Sequence, residues 1–205
     1  MRNPSVAGNQ QLLDNALFNI SLDWVHRASV DVHSTPLPMR TPLSHHGVLA
    51  FDPITPRDVN FVLDHARALQ LAARAGDLRA SLRGRKFGLM CETDDDGDAA
   101  LFRRAAVELG ACVTQLRPSL TVLSTPQEVQ HTARMLGRLY DAVECQGMAP
   151  DLVHRLGIDA GVPVYDGIAT QHHPTAKLGA LLEGDSPPLD KRRFVLQAVL
   201  LSTVA

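Results

Sequence analysis

From residue 87 onward, short apolar segments alternate with longer amphipathic segments, and this alternation constrains the fold more than any other feature. Strand-like runs occupy residues 87–91, 112–116, 142–145 and 162–165, and segments with helical spacing separate them. Strands that alternate with helices of about 10–13 residues are typical of a parallel sheet covered on both faces. The sequence therefore predicts an α/β fold, a three-layer domain in which a four-stranded parallel sheet is flanked by helices.

Local signals fix several helix ends. Thr125, Pro126 and Glu128 form a capping-box sequence, which predicts a helix that begins there and runs to about Arg138. Gly110 follows another helical segment and is expected to end it. Residues 1–47 are rich in proline, serine, threonine and histidine and have weak periodicity, so we expect an N-terminal extension followed by one domain over 48–205.

Composition excludes several classes of function. The formal net charge of −2 gives no basic surface for nucleic acid, and no apolar run approaches the roughly 20 residues of a membrane span. We therefore expect a cytoplasmic protein without nucleic-acid or membrane partners.

The three cysteines, Cys91, Cys112 and Cys145, lack metal-ligand spacing and are odd in number. We therefore predict small buried side chains, no disulfide, no bound metal and no cofactor.

An acidic loop follows the first predicted strand. Residues 92–98 include Asp94, Asp95, Asp96 and Asp98 around Gly97. A calcium-loop register fails at its last ligand, where a glutamate is required and an arginine stands. Two interpretations remain open: the acids cap the next helix in solvent, or they hold a cation or an amine.

A histidine lies in the loop after the fourth predicted strand. Ligands of parallel sheets bind beyond the carboxyl ends of the strands, and His173 precedes Pro174 and Thr175 at that edge. A histidine at such a position can polarise a carbonyl group. The alternative is a structural hydrogen bond.

Four segments resemble one enzyme family in order and spacing: 82–87, 131–141, 160–167 and 173–175. They are similar to the carbamoyl-phosphate domain of the aspartate/ornithine carbamoyltransferases, and to the ornithine type in particular. Residues 188–204 resemble the helix with which full-length members end and which returns to the first domain. On this resemblance we expect a chain that lacks the family's amino-acid-binding domain.

The resemblance also assigns a site, most of which is altered. Where the family has a Ser-Thr-Arg-Thr-Arg loop, this sequence has Asp95, Asp96, Gly97, Asp98 and Ala99. The arginine after the third strand corresponds to Gln146, and the glutamine after His-Pro-Thr corresponds to Ala176. His173 is the residual catalytic candidate, with Pro174 and Thr175 beside it.

Three functional hypotheses follow from this pattern. The first is an ornithine carbamoyltransferase-like pseudoenzyme that acts through oligomer contacts, with the trimer typical of the family. The second is an enzyme or small-molecule binder whose acidic pocket accepts a cationic or amine ligand. The third is a subunit that shares a site with a full-length carbamoyltransferase partner.

Overall fold

The computed structural model describes residues 48–49, 56–92 and 97–204. The predicted extension 1–47 and the candidate site residues Asp94, Asp95 and Asp96 lie outside these residues. The proposed domain boundary therefore stays a prediction. The described strands are β1 Val48–Leu49, β2 Lys86–Met90, β3 Cys112–Leu116, β4 Ala142–Cys145 and β5 Val164–Asp166. The described helices are α1 Pro56–Arg74, α2 Gly97–Glu108, α3 Pro126–Leu139, α4 Pro150–Ala160, α5 Pro174–Leu181 and α6 Pro188–Val204.

The strands form a parallel sheet in the order β1-β5-β4-β2-β3. All four predicted strands are present, which confirms the parallel α/β fold. The two-residue strand β1 was not predicted; it pairs with β5 through Val48 and Leu49. The last strand starts two residues later than predicted, after Pro163, which has no N–H to donate to a strand partner.

Alternate residues of the central strands face opposite helical layers, as the two-residue repeat of a strand requires. Phe87 and Leu89 of β2 join a core built with α1, α2, α5 and α6. Met90 and Val143 join a second core built with α3 and α4. The described residues therefore form three layers, with four of their helices on one face of the sheet and two on the other.

Helix α6 provides much of the first core. Its residues Phe194 to Leu200 are all buried, and they pack against α1, α2 and α5. Gln197 in the middle of this stretch donates to the Ala105 carbonyl and to Glu108 of α2. A helix buried on so much of its circumference belongs to the interior of a domain. Its correspondence to the returning helix of the family stays a prediction.

The predicted helix ends agree with the structure within a few residues. Thr125 caps α3 by accepting from the Glu128 N–H, and the Glu128 carboxylate accepts from the Thr125 N–H at 2.7 Å. The capping box is therefore formed in both directions. Gly110 follows α2 with a φ of 90°, in the left-handed region that suits glycine.

One cysteine prediction is wrong. Cys91 and Cys145 are buried, but Cys112 is exposed. Cys112 begins β3, which is one of the two edge strands of the sheet, so one side of β3 has no neighbouring strand among the described residues. Nothing in an apolar run distinguishes an edge strand from a central one, and the position of β3 depends on the tertiary fold.

No helix in the described part of the chain is long and apolar enough to cross a bilayer.

Candidate functional site

The predicted site residues that the structure describes lie at one edge of the sheet. Glu92 follows β2, Gln146 follows β4, and His173 belongs to the segment that joins β5 to α5. In a parallel sheet these three connections meet at the carboxyl ends of the strands. Asp98 is in the first turn of α2, which begins at the same edge. The fold therefore brings together residues as far apart in sequence as Glu92 and His173.

A fully buried acid, Glu144, lies beneath this edge on β4. Its carboxylate accepts hydrogen bonds from the Ile168 and Ala169 N–H groups and from Nε2 of Gln146, the last at 3.2 Å. Burial raises the pKa of Glu144 to about 8, and these three hydrogen bonds limit the rise. Glu144 thus holds the 168–169 loop against β4 and is mostly protonated at neutral pH.

Gln146 occupies the position where the resemblance places an arginine, and it is only 4% exposed. Its backbone N–H donates to the Met90 carbonyl at 2.8 Å, which fixes the residue to the end of β2. The side-chain nitrogen donates to Glu144, whereas the side-chain oxygen Oε1 is buried without a hydrogen-bond donor in the described part of the chain. A buried acceptor of this kind is uncommon in folded proteins and requires an explanation.

His173 is the N-cap of α5 and is nearly buried. Its Nδ1 lies within hydrogen-bond distance of two groups of Thr175, the backbone nitrogen at 3.2 Å and Oγ1 at 2.8 Å. Thr175 Oγ1 donates to the Ile168 carbonyl at 2.8 Å, which ties the start of α5 to the 168–169 loop. Burial lowers the pKa of His173 to about 4. At neutral pH His173 can donate one hydrogen bond but carries no positive charge.

Asp98 forms an ion pair with Arg192 of α6, whose guanidinium lies 3.4 Å from the carboxylate. Arg192 also donates to the Ala169 carbonyl. This arginine reaches the site from the returning helix and was missed in the sequence analysis, because its helical segment carries no loop motif. Glu144 was missed as well, although an acid inside an otherwise apolar strand is a signal that sequence reasoning can use.

The other predicted site positions differ in accessibility. Gly97 is exposed at the first residue of α2, and a Cβ built there would meet nothing within 4 Å. Ala99 is fully buried in the first core. Pro174 is exposed and Ala176 is half-buried in the first turn of α5. Only some of the positions are therefore open to a ligand.

A cavity of about 210 Å³ opens between the ends of β2, β3 and β4. Glu92 and Gln146 provide its polar side chains together with Thr121. The remaining lining side chains are apolar and come from the loop after β3 and from the start of α4: Pro118, Leu120, Val122, Met148, Ala149 and Leu152. The cavity therefore has both polar and apolar residues in its lining.

Within the described ranges, no group of three histidine, cysteine, aspartate or glutamate side chains is arranged to hold a metal ion.

Comparisons with known proteins agree with this geometry. The catabolic ornithine carbamoyltransferase of Chromobacterium violaceum is 36% identical over 129 residues, which are 62% of this chain and 38% of that protein. The ornithine carbamoyltransferase of Actinobacillus pleuropneumoniae serotype 5b is 34% identical over 144 residues, 69% of this chain and 43% of that protein. The chain is similar to the ornithine/aspartate carbamoyltransferases. No protein-family model matches it.

Solved carbamoyltransferase structures share the fold. The ornithine carbamoyltransferase of Pyrococcus furiosus superposes with a TM-score of 0.60 at 22% identity, over 70% of this chain and 46% of that one. The enzyme of Burkholderia thailandensis superposes with a TM-score of 0.53 at 20% identity, over 62% and 43%. The chain spans about two fifths of the length of the curated carbamoyltransferases that it matches. The similarity is therefore to part of a carbamoyltransferase.

Proposed function

We propose that this chain keeps a carbamoyltransferase-like fold without carbamoyl transfer, and that it acts as a pseudoenzyme through contacts between subunits. The observation that carries the proposal is the charge state of the site. His173 is neutral at physiological pH, and Arg192 is already paired with Asp98. Among the described positions of the resemblance, none carries a cation for the dianion carbamoyl phosphate.

The size of the electrostatic effect supports this proposal. A carboxylate about 5 Å from one phosphate charge opposes it by about 3 kcal/mol at an effective dielectric constant near 20. An arginine at the same place would attract the phosphate by a comparable amount. The change from arginine to an uncharged or acidic residue at several positions therefore lowers the affinity for carbamoyl phosphate by many powers of ten.

Packing around Ala99 supports the same proposal. Ala99 corresponds to an arginine of the family's loop, and its side chain is fully buried in the core beneath α2. An arginine in that orientation would bury an unpaired charge, which is costly. Position 99 thus contributes to the hydrophobic core.

The test is a direct assay with a gain-of-charge variant. We expect no carbamoylated product from carbamoyl phosphate with ornithine, aspartate or putrescine, and no binding of carbamoyl phosphate by calorimetry. Gly97→Arg places a cation at an exposed position with open space, and Gly97→Gln is its neutral control. Measurable binding by the Arg variant alone would show that missing charge is the reason. Turnover by the unmodified chain would refute the proposal.

We propose further that the chain forms a homo-oligomer, with a trimer as the expected size by resemblance. Val122 and Leu123, in the loop before α3, are 69% and 90% exposed, and Met135 and Leu139 of α3 are also exposed. Sedimentation should give a mass three times the 22.2 kDa of the chain. Leu123→Asp should reduce that mass, whereas Leu71→Asp at an exposed position of α1 should not. A monomer for the unmodified chain would refute the proposal.

A mixed oligomer with a full-length carbamoyltransferase is the second candidate for a subunit contact. Co-expression and co-purification of the two chains would distinguish it from self-association. A cytoplasmic location remains part of the proposal and is supported by the three free cysteines. Fractionation of cells tests this location.

A further inference from the structure

We propose that the cleft at the amino ends of β2, β4 and β5 binds a phosphate monoester. The phosphate group would bind to Lys86 and Arg138, and the organic group would pack along Val162 and Val204, all of which line the cleft. The cleft lies at the opposite edge of the sheet from His173 and shares no residue with the altered carbamoyl-phosphate site. The inference is therefore independent of the proposed loss of carbamoyl transfer.

The cleft is formed where helices end and strands begin. Helices α3 and α6 end at it, and strands β2, β4 and β5 begin beside it. Its volume is about 520 Å³. Small-molecule sites have volumes of about 300–1,000 Å³, so the cleft is large enough for a phosphate with an organic group attached.

Hydrogen bonds fix the backbone that carries the basic side chains. The Asp141 N–H donates to the Lys86 carbonyl at 2.7 Å, and the Lys86 N–H donates to Oδ2 of Asp141 at 2.8 Å. The Arg85 carbonyl accepts from the Cys112 N–H at 2.9 Å. The backbone at the base of the cleft is therefore held in place before a ligand binds, which reduces the cost of binding.

Basic side chains determine the sign of the charge in the cleft. Arg85, Lys86 and Arg138 line it together with one acid, Asp141. Asp141 is paired with Arg85 at 3.0 Å, whereas no carboxylate of the described residues pairs with Lys86 or Arg138. Two positive charges are thus available to a ligand. A phosphate monoester carries a charge between about −1.5 and −2 near pH 7, which matches them.

The two helix ends at the cleft oppose an anion, but more weakly than the cations attract it. A helix C-terminus carries about half a negative elementary charge, and its effect is confined to about the last turn. In α3 the Leu136 carbonyl accepts from the Tyr140 N–H at 2.9 Å, and in α6 the Val199 carbonyl accepts from the Thr203 hydroxyl at 2.9 Å. Two full cations outweigh these partial charges, so the cleft favours an anion.

The apolar part of the lining determines the rest of the ligand. Val162 and Val204 are half-buried in the wall of the cleft. Inorganic phosphate would leave both side chains in contact with water, whereas an organic group attached to the phosphate would cover them. The cavity at the carboxyl edge of the sheet differs, since it contains Glu92 and no arginine, lysine or histidine. The anion is therefore expected at the amino edge.

The test compares three probes that share one aromatic ring and differ in charge: phenyl phosphate, phenyl sulfate and benzyl alcohol. Tyrosine rings labelled with carbon-13 provide the readout, because the chain has two tyrosines and Tyr140 lines the cleft. We expect phenyl phosphate to shift the Tyr140 signal with a dissociation constant of about 1 mM. Phenyl sulfate, with one charge, should bind about tenfold more weakly, and benzyl alcohol should give no saturable shift. The Tyr140→Phe variant assigns the signal.

Charge-removing variants test the two cations. Lys86→Gln and Arg138→Gln should each weaken phenyl phosphate binding about tenfold, the effect of losing one hydrogen bond between charged groups. Lys177→Gln removes the same charge at a position of α5 outside the cleft and should have no effect. All three positions are exposed, so the variants should keep the fold.

The same variants separate this cleft from the altered site. Carbamoyl phosphate has no organic group that reaches Val162 and Val204, so its binding in the cleft should be too weak for calorimetry. Binding of carbamoyl phosphate that persists in Lys86→Gln would count against the proposed loss of the family's site and not against this cleft. The two proposals therefore fail separately.

Three results would overturn the proposal. Equal binding of phenyl sulfate and phenyl phosphate would show that the cleft does not select a second charge, and equal binding of benzyl alcohol would indicate an apolar cleft. The absence of a saturable Tyr140 shift with phenyl phosphate would show that the cleft does not bind phosphate esters. Binding that neither Lys86→Gln nor Arg138→Gln weakens would contradict the assigned cations.

Discussion

Nη2 of Arg192, near the start of α6, lies 3.4 Å from Oδ1 of Asp98, in the first turn of α2. The two residues are 94 positions apart in sequence, and their ion pair joins the N-terminal ends of α2 and α6. Both side chains are mostly buried, with 16% and 24% of their surface exposed. The acid that stands at an altered position of the site therefore also links α6 to α2.

Asp98→Asn should lower the free energy of unfolding by about 0.5–1 kcal/mol, because it removes the charge partner of Arg192 and retains the polar side chain. The difference from wild type should shrink in about 1 M salt, where such interactions are screened. Asp64→Asn is the control, since the Arg67–Asp64 pair is highly exposed and should contribute little. Urea denaturation gives the free energy of unfolding of wild type and of both variants. Equal losses of stability in Asp98→Asn and Asp64→Asn would contradict the prediction.

Glu144 should make stability depend on pH. Its pKa rises from 4.5 to about 8 on folding, so between these values the folded state keeps a proton that the unfolded chain has lost. The free energy of unfolding should therefore fall as the pH rises through this range, by up to about 1.4 kcal/mol per unit. Glu144→Gln should flatten this dependence.

Thermal or urea unfolding at several pH values between about 5 and 9 measures this linkage. Glu183→Gln, at an exposed position, is the control for the loss of one carboxyl group. If the free energies of unfolding of wild type and Glu144→Gln change with pH in parallel across this range, buried Glu144 is not the cause of the pH dependence.

Thr125→Ala should cost about 1 kcal/mol of stability, because the alanine cannot accept from the Glu128 N–H. Thr125→Ser keeps the hydroxyl and should retain most of the stability. Circular dichroism during thermal unfolding compares the two variants. A serine variant as unstable as the alanine variant would show that the threonine methyl group, and not the cap, is responsible.

Gly137→Ala should destabilise the fold by about 3 kcal/mol or more, although alanine is the better helix former by about 1 kcal/mol. A Cβ at position 137 would lie 1.8 Å from the Ala160 carbonyl oxygen, so α3 and α4 would have to move apart. Gly97→Ala meets no neighbouring atom and should change stability by less than about 0.5 kcal/mol. Denaturation midpoints compare the two variants with wild type. Similar midpoints for Gly137→Ala and Gly97→Ala would contradict the prediction.

Cys112 should react with a thiol reagent in the folded protein, and Cys91 and Cys145 should not. Burial raises the pKa of the Cys145 thiol, which further suppresses the reactive thiolate. Mass spectrometry should find one adduct under native conditions and three in denaturant. Rapid modification of Cys145 in buffer would contradict its burial.

The fold was predictable because its information is local. The capping box at Thr125 and the apolar runs of β2 to β5 lie within short windows, and each specifies one element. The edge position of β3 and the two-residue strand β1 were not predictable, since both depend on which strands become neighbours in the folded chain.

The site was only partly predictable for a related reason. The loop after a strand identified His173, and the family resemblance identified Gln146. Arg192 was missed because it reaches the site from a helix. The charge of His173 also required the fold, because burial lowers its pKa and burial cannot be read from the sequence around it. A histidine at the carboxyl edge of the sheet therefore does not by itself establish whether that histidine is charged.

The two cores have different consequences for how the chain assembles during synthesis. The second core takes all its buried residues from 90–164, so it can form while the following residues are still being added. The first core needs Phe194 to Leu200, and it remains open until these residues are available. We expect the α3–α4 side to become structured early and the α1–α2 side to close last. A chain stopped before α6 would then expose the interior of α1 and α2, and it would be a substrate for chaperones and proteases.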